Sequence, residues 1–243
     1  MAMNRASFAK MLEPGLNTLF GLEYDQYPAE YAAVFASNTS QKAFEEDVLL
    51  SGFGSAPTKS EGSAISYDDA GQQWTARYQH ETVALAFSIT EEAEEDGQYG
   101  SIASRYTKAL ARSMASTKEI KAANVLNNAT TANGGDGTTL LSATHPTQNG
   151  NQSNTLATAA DLSEVSLEAI LIQIADMKDD RGLRIAAQGM QLVIPTAYTF
   201  VAERLLESQL RTGTADNDIN AIKSGGYLPK GYHVMRRLTD ADG

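Results

Sequence analysis

Residues 98–129, QYGSIASRYTKALARSMASTKEIKAANVLNNA, decide how the rest of the chain is read. Tyr99, Ile102, Tyr106, Leu110, Met114, Thr117 and Ile120 recur at three- and four-residue spacing, the stripe of a helix lying on another surface. The positions between them hold Ala, Lys, Arg and Met, and no Gly or Pro follows Gly100. Just upstream, Glu91, Glu92, Glu94, Glu95 and Asp96 crowd into six positions, while Arg105, Lys108, Arg112, Lys118 and Lys121 follow. Acid before base is the order a helix dipole favours. The breaker run NNATTANGGDG at 127–137 ends the segment. A helix of this length makes a rod of about 45 Å, longer than most core helices. The spacing therefore predicts one unbroken helix from Tyr99 to Asn127.

Upstream of it, residues 4–45 mix Gly, Pro and aromatics without a sustained period, and only Ala29–Phe35 reads as a short helix. Leu16, Leu19, Phe20, Leu22, Tyr24 and Tyr27 would dock such an arm onto other surfaces. Residues 46–90 read as a strand, a Gly/Ser-rich turn region and a second, longer strand. In that second strand Trp74, Ala76, Tyr78 and His80 alternate with polar residues, and Val83, Leu85, Phe87 and Ile89 continue the alternation. The tip, Ser51–Gly71, is poor in large apolar residues, and a two-stranded ribbon alone is marginal in water. It needs a partner surface, expected to be another subunit.

Downstream, 138–163 (TTLLSATHPTQNGNQSNTLATAADLS) reads as a long polar loop. Ser163 then caps a helix over Glu164–Lys178, with Val165, Leu167, Ile170, Leu171, Ile174 and Met177 on its apolar face. MQLVIP (190–195) reads as a buried strand, and an amphipathic helix starts at Pro195 or Thr196. A short helix at Asp216–Lys223 and a strand over 231–238 follow. Strand, helix and strand in alternation describe an α/β lobe.

Composition narrows the functional classes. Nineteen Lys and Arg face thirty Asp and Glu, a net charge of -11, which disfavours gripping nucleic acid or anionic membranes. With no cysteine there is no disulfide framework, thiolate metal site or cysteine nucleophile. No apolar run is long enough to span a membrane, and MAMNRASFAK is not followed by the apolar core of a signal peptide. The three histidines, His80, His145 and His233, fit no HxxxH or HExxH spacing; a surface residue and a loop turn are the simpler readings of the first two. GFGSAP (52–57) lacks the last glycine of a dinucleotide loop and precedes no helix. GGDG (134–137) reads as a flexible turn, since no Lys-Ser/Thr follows to make a phosphate cradle. The acids at 91–96 lack the alternating ligands and turn glycine of a calcium loop. The expectation is of no catalytic residue, no cofactor, no metal site and no enzyme.

What remains is an order of parts, carried by NTLFGLEYDQYPAEYAAVF (17–35), by FEEDVLL through EEDG (44–97), by LLSATHPTQNGNQSN (140–154) and by MQLVIPTAY with AERLLES (190–208). It resembles the HK97-fold major capsid proteins of tailed bacteriophages, most closely the Mu-like major head subunit group. The resemblance implies an α+β fold with an N-terminal arm (1–45), a two-stranded E-loop with P-domain strands (46–90), a spine helix of the P domain (91–130) and an α/β A domain (131–243). Family members continue with further strands, so this chain is expected to be incomplete at its C-terminus. The resemblance further implies an icosahedral shell of hexamers and pentamers of the chain, enclosing double-stranded DNA without reading its sequence. Scaffold, portal and cement proteins would be its partners, no membrane would be involved, and the protein would be made in the host bacterial cytoplasm and end in the virion capsid. An encapsulin-like compartment shell is the alternative of the same architecture. A hydrolase or binding protein using 138–163 as a lid, or a tail or adhesin component, is the alternative of another class.

Overall fold

The computed structural model describes residues 9–88, 99–211 and 218–239, with side chains from 16–88, 102–211 and 218–239. Helices α1 (Ala9–Asp25), α2 (Tyr99–Asn127), α3 (Glu164–Ala175), α4 (Thr199–Glu207) and α5 (Ala221–Gly225) alternate with three two-stranded sheets. The strands are β1 (Phe44–Leu50), β2 (Gln72–Gln79), β3 (His145–Thr147), β4 (Gly150–Gln152), β5 (Leu192–Ile194) and β6 (Tyr232–Val234). Contacts divide the chain into two compact units. One joins residues up to Ser37 with Glu81–Asn124; the other joins Asn38–His80 with Val125 onward.

Helix α2, which the first unit holds as far as Asn124, runs unbroken from Tyr99 to Asn127, as its spacing predicts. Its buried stripe is not the expected one. Tyr106 and Ile120 are exposed, whereas Ala103, Thr107, Ala111, Glu119 and Ala123 are buried. Small side chains let a neighbouring backbone approach, so the inward face lies one position beside the bulky row. The acid run at 91–96 falls outside the described residues.

The arm is not irregular at its start, and this corrects the sequence reading. α1 occupies Ala9–Asp25 despite Pro14, Gly15 and Gly21. Leu16, Leu19, Phe20, Glu23 and Tyr24 are partly covered while Asn17, Thr18, Leu22 and Asp25 are exposed, a helical period hidden among breakers. Phe20 and Tyr24 stack with ring centroids 5.8 Å apart. Lys108 reaches Glu23 at 2.6 Å, and the Lys118 ammonium lies 5.4 Å from the Tyr24 ring centroid. Tertiary contacts of this kind, rather than propensity, hold most protein helices together. The short helix expected at Ala29–Phe35 is a 3-10 turn over Glu30–Ala33, and the buried Glu119 carboxylate accepts from the backbone N–H groups of Glu30 at 2.8 Å and Tyr31 at 3.3 Å.

In the second unit β1 and β2 pair antiparallel from Phe44↔Gln79 to Leu50↔Gln72, with a bulge between Val48 and Leu50. β2 ends at Gln79 rather than running to Thr90. The alternation continues, but past the His80 N–H bond to the Ala43 carbonyl the partner strand gives out, and alternation without a partner makes no ladder. The polar stretch 138–163 is also not a plain loop. It contains the β3–β4 hairpin, closed around Gln148 and Asn149 with Gly150 at φ 104.

Ser163 caps α3 as expected, accepting from Ser166 N–H while the Ser166 hydroxyl accepts from Ser163 N–H. α3 stops at Ala175, and the Asp176 N–H closes it. A 3-10 turn over Thr196–Tyr198 follows Pro195 before α4 begins. Asn220 caps the short helix, the expected start at Asp216 lying outside the described residues: the Asn220 side chain accepts from Ile222 and Lys223 N–H and donates to the Leu205 and Ser208 carbonyls. β5 and β6 pair in parallel, Leu192↔Tyr232 to Ile194↔Val234, with α4 and α5 in the crossover between them. The expected strand at 231–238 is thus three residues long. Leu167, Leu206 and Ile222 form the core of this lobe, with Leu171, Leu192, Leu205, Leu228 and Tyr232 packed around them.

Candidate functional site

A soluble subunit that needs no partner buries its large apolar residues, and few of these are buried. The buried hydrophobic residues described are Leu167, Ile194, Leu206, Ile222, Met235 and five alanines. Against them stand exposed Leu50, Phe53, Ile65, Tyr67 and Tyr78 on the ribbon alone, with Tyr67 at 92% exposure. Contiguous exposed apolar side chains mark surfaces made for contact.

One face of the ribbon packs on a neighbouring turn. Trp74 and Ala76, two residues apart in β2, lie over the 134–138 turn so tightly that a Cβ on Gly135 would sit 2.6 Å from the indole ring. The GGDG segment is therefore a packed turn rather than a flexible one, closed by Gly134 N–H to the Thr138 carbonyl at 2.6 Å. On the other face Arg77 pairs with Glu46 at 2.6 Å and covers the Phe44 ring at 4.4 Å. Where the ladder gives way to the tip, Ser51 N–H donates to the Gly71 carbonyl at 2.8 Å, and within the tip Gly54 N–H donates to the Asp68 carboxylate at 2.8 Å. Arg181, from the lobe, pairs with Asp68 and donates to Gln148 Oε1 at 2.6 Å.

The structure disperses the three histidines. His80 is exposed at the end of β2, and His233 is half-buried in β6. His145, in β3, meets two residues that sequence reasoning did not connect with it. Its Nδ1 lies 2.6 Å from Asp136 Oδ2 and 3.0 Å from the Thr138 hydroxyl, which itself donates to Asp136 at 2.8 Å. Burial works to raise the Asp136 carboxyl, but the bonds from His145 and Thr138 outweigh it and hold the group below its ordinary value. This cluster staples the turn to the hairpin. Among the described residues no three His, Cys, Asp or Glu side chains converge as a metal site would need. No described helix is long and apolar enough to cross a membrane.

The lobe also carries a cleft of about 590 Å³ between α3, the 186–189 segment, α5 and Tyr227. Leu171, Ile172, Ala175, Ala187 and Ile222 make it apolar, and Glu168 is the only carboxylate in its lining. Nothing in it pairs a nucleophile with a base.

Mixed α and β structure, one long helix and a ribbon with exposed apolar residues are what the chain offers for comparison with known proteins. The sequence profile of the phage capsid protein family matches residues 72–241. The chain belongs to that family, and it is a structural subunit of a bacteriophage head shell. Among solved structures, the capsid of bacteriophage JBD30 shares its fold with a TM-score of 0.64 at 14% identity, covering 87% of this chain and 91% of that one. The JBD30 capsid decorated with minor capsid protein trimers aligns with a TM-score of 0.59 at 13% identity, over 98% of this chain and 100% of that one. The JBD30 procapsid gives 0.53 at 15% identity, over 93% and 98%. Among curated proteins none matches. At such identities the likeness speaks for the fold.

Proposed function

We propose that the chain is the major head subunit of a tailed phage of the Mu-like group, assembling with itself into an icosahedral shell of hexamers and pentamers around double-stranded DNA. In this reading residues 1–45 act as the N-arm, 46–90 as the E-loop with P-domain strands, 91–130 as the spine of the P domain, and 131–243 as the A domain. The observation that carries it is the ribbon: Leu50, Phe53, Ile65 and Tyr67 stand exposed on an element too small to be stable alone. The negative net charge suits a container whose DNA must enter and leave, since phosphate-neutralising Lys and Arg would hold it in a salt-dependent grip. Minor capsid protein trimers decorate the JBD30 capsid, and proteins of that kind, with scaffold and portal, are the partners we expect. The chain would be made in the host cytoplasm, and no sequence-specific DNA contact, cofactor or catalytic site is part of its role.

The test is sedimentation and electron microscopy of the full chain at micromolar concentration. Closed particles of megadalton mass are expected, and co-expressed DNA inside them should resist nuclease. A stable, well-folded monomer would overturn the proposal. An encapsulin-like shell would instead close without packaged DNA.

A further inference from the structure

A ribbon that meets another subunit must leave its own lobe in a defined direction, and two strands do not provide that stiffness by themselves. Between Leu50 and Gln72 the ladder is open. Within the segment itself are Ser51 N–H to the Gly71 carbonyl, Gly54 N–H to Asp68, and a turn from Ser60 to Ser63. Among the described residues one side-chain tie leaves it: Asp68 to Arg181, across 113 positions of sequence.

Arg181 is set in place before it reaches Asp68. Its N–H and that of Leu183 both donate to Asp179 Oδ1, at 3.0 Å and 2.7 Å. Gly182 follows at φ 88, a conformation glycine adopts without strain. The second guanidinium nitrogen is held by Gln148 Oε1, and the Gln148 N–H is in turn held by Asp180 Oδ1 at 3.0 Å. On the other side, the Asp68 carboxylate takes the Gly54 N–H through one oxygen and Arg181 through the other. A planar fork fixed at both ends transmits direction where a lysine would give only charge.

We infer that Asp68 and Arg181 form a latch that holds the 51–71 tip of the ribbon at a set angle to the lobe, so that Phe53, Ile65 and Tyr67 meet a second copy of the chain already aimed. This rests on the reading that the ribbon contacts a second copy, and it names the residues that position it. Preorganisation of this kind lowers the ordering cost at the moment of association. The guanidinium beside Asp68 also holds that carboxyl below its ordinary value, so the latch stays closed until the pH falls below the usual carboxylate range.

The experiment uses the full chain, first held unassembled at low concentration, and compares wild type with Asp68→Asn, Arg181→Gln, their double variant and Asp69→Asn. Asp69→Asn removes the same charge one residue away. Amide exchange over residues 53–70 should quicken about two- to fivefold in Asp68→Asn, the range for a partly exposed ion pair. Asp69→Asn should match wild type, and the double variant should be no faster than either single. Raising salt from 50 mM to 1 M should move wild type toward Asp68→Asn and leave that variant unmoved, which a purely structural role for the side chain would not do. At assembly concentration, Asp68→Asn should yield fewer closed particles than Asp69→Asn. Equal exchange in Asp68→Asn and Asp69→Asn overturns the latch, and faster exchange with undiminished assembly overturns its role in aiming the ribbon. Wild type that forms no particles overturns the shell reading instead, and the exchange comparison alone then decides whether the latch exists.

Discussion

The lobe and the ribbon belong to one compact unit and obey opposite rules. In the lobe Leu167, Leu206 and Ile222 face one another and β5 and β6 close over them. In the ribbon the large apolar residues Leu50, Phe53, Ile65 and Tyr67 stand largely exposed. A core residue contributes to the stability of the chain that carries it. An exposed one of the same size contributes only when another surface arrives. The difference predicts that substitutions of equal size will register in different assays.

The largest effect belongs to the lobe. Leu206→Ala should destabilise the unassembled chain by about 2–5 kcal/mol in denaturant unfolding, the cost of a buried cavity. A loss under about 1 kcal/mol would show that the lobe lacks a fixed core. Next comes the seam where ribbon meets turn. Gly135→Ala places a methyl inside the Trp74 contact and should cost about 1–3 kcal/mol by overpacking, with a shifted Trp74 fluorescence, Trp74 being the chain's single tryptophan. An unchanged emission maximum would mean that the ribbon does not rest there.

A smaller effect should follow pH. Asp136 has a folded value below its unfolded one, so its contribution is complete above the ordinary carboxylate range near pH 4 and is lost as pH falls through the lower, folded value. Asp136→Asn should flatten that acid limb of a stability-versus-pH curve; an unaltered limb would remove the staple from the account. The smallest effect on stability belongs to the ribbon tip. Tyr67→Ser should change unfolding of the lone chain by less than about 0.5 kcal/mol while lowering particle yield. A Tyr67→Ser chain that loses stability but assembles normally would reverse the contrast between the two regions.

Local patterns were legible in the sequence, and long-range pairings were not. α2 and the Ser163 cap could be read because their signals lie within a few residues of one another. α1 was hidden by Pro14, Gly15 and Gly21, whose propensity cost is offset by contacts from Lys108 and Lys118 that no local window contains. β2 looked too long because alternation reports a surface, whereas a strand also needs a neighbour. The β3–β4 hairpin did leave a trace, Asn149-Gly150, the kind of pair that favours tight turns. The Asp136–His145 and Asp68–Arg181 pairs left none, since each joins ordinary polar residues from separate segments. For a protein whose role lies in surfaces, the residues most diagnostic of that role are those with the weakest local signal.

The parallel pairing of β5 with β6 has a consequence for synthesis. The ribbon is complete once Gln79 has emerged from the ribosome, but the lobe cannot close until Tyr232–Val234 arrive to pair with Leu192–Ile194. At about 5–20 residues per second, that leaves the ribbon waiting roughly 8–30 s beside an unfinished lobe. During that interval its exposed aromatic tip can meet the tips of neighbouring nascent chains on the same message, yet neither chain has the folded lobe against which Arg181 could hold Asp68. Ordered association is thereby deferred until Tyr232–Val234 have been made, and that strand acts as the clock.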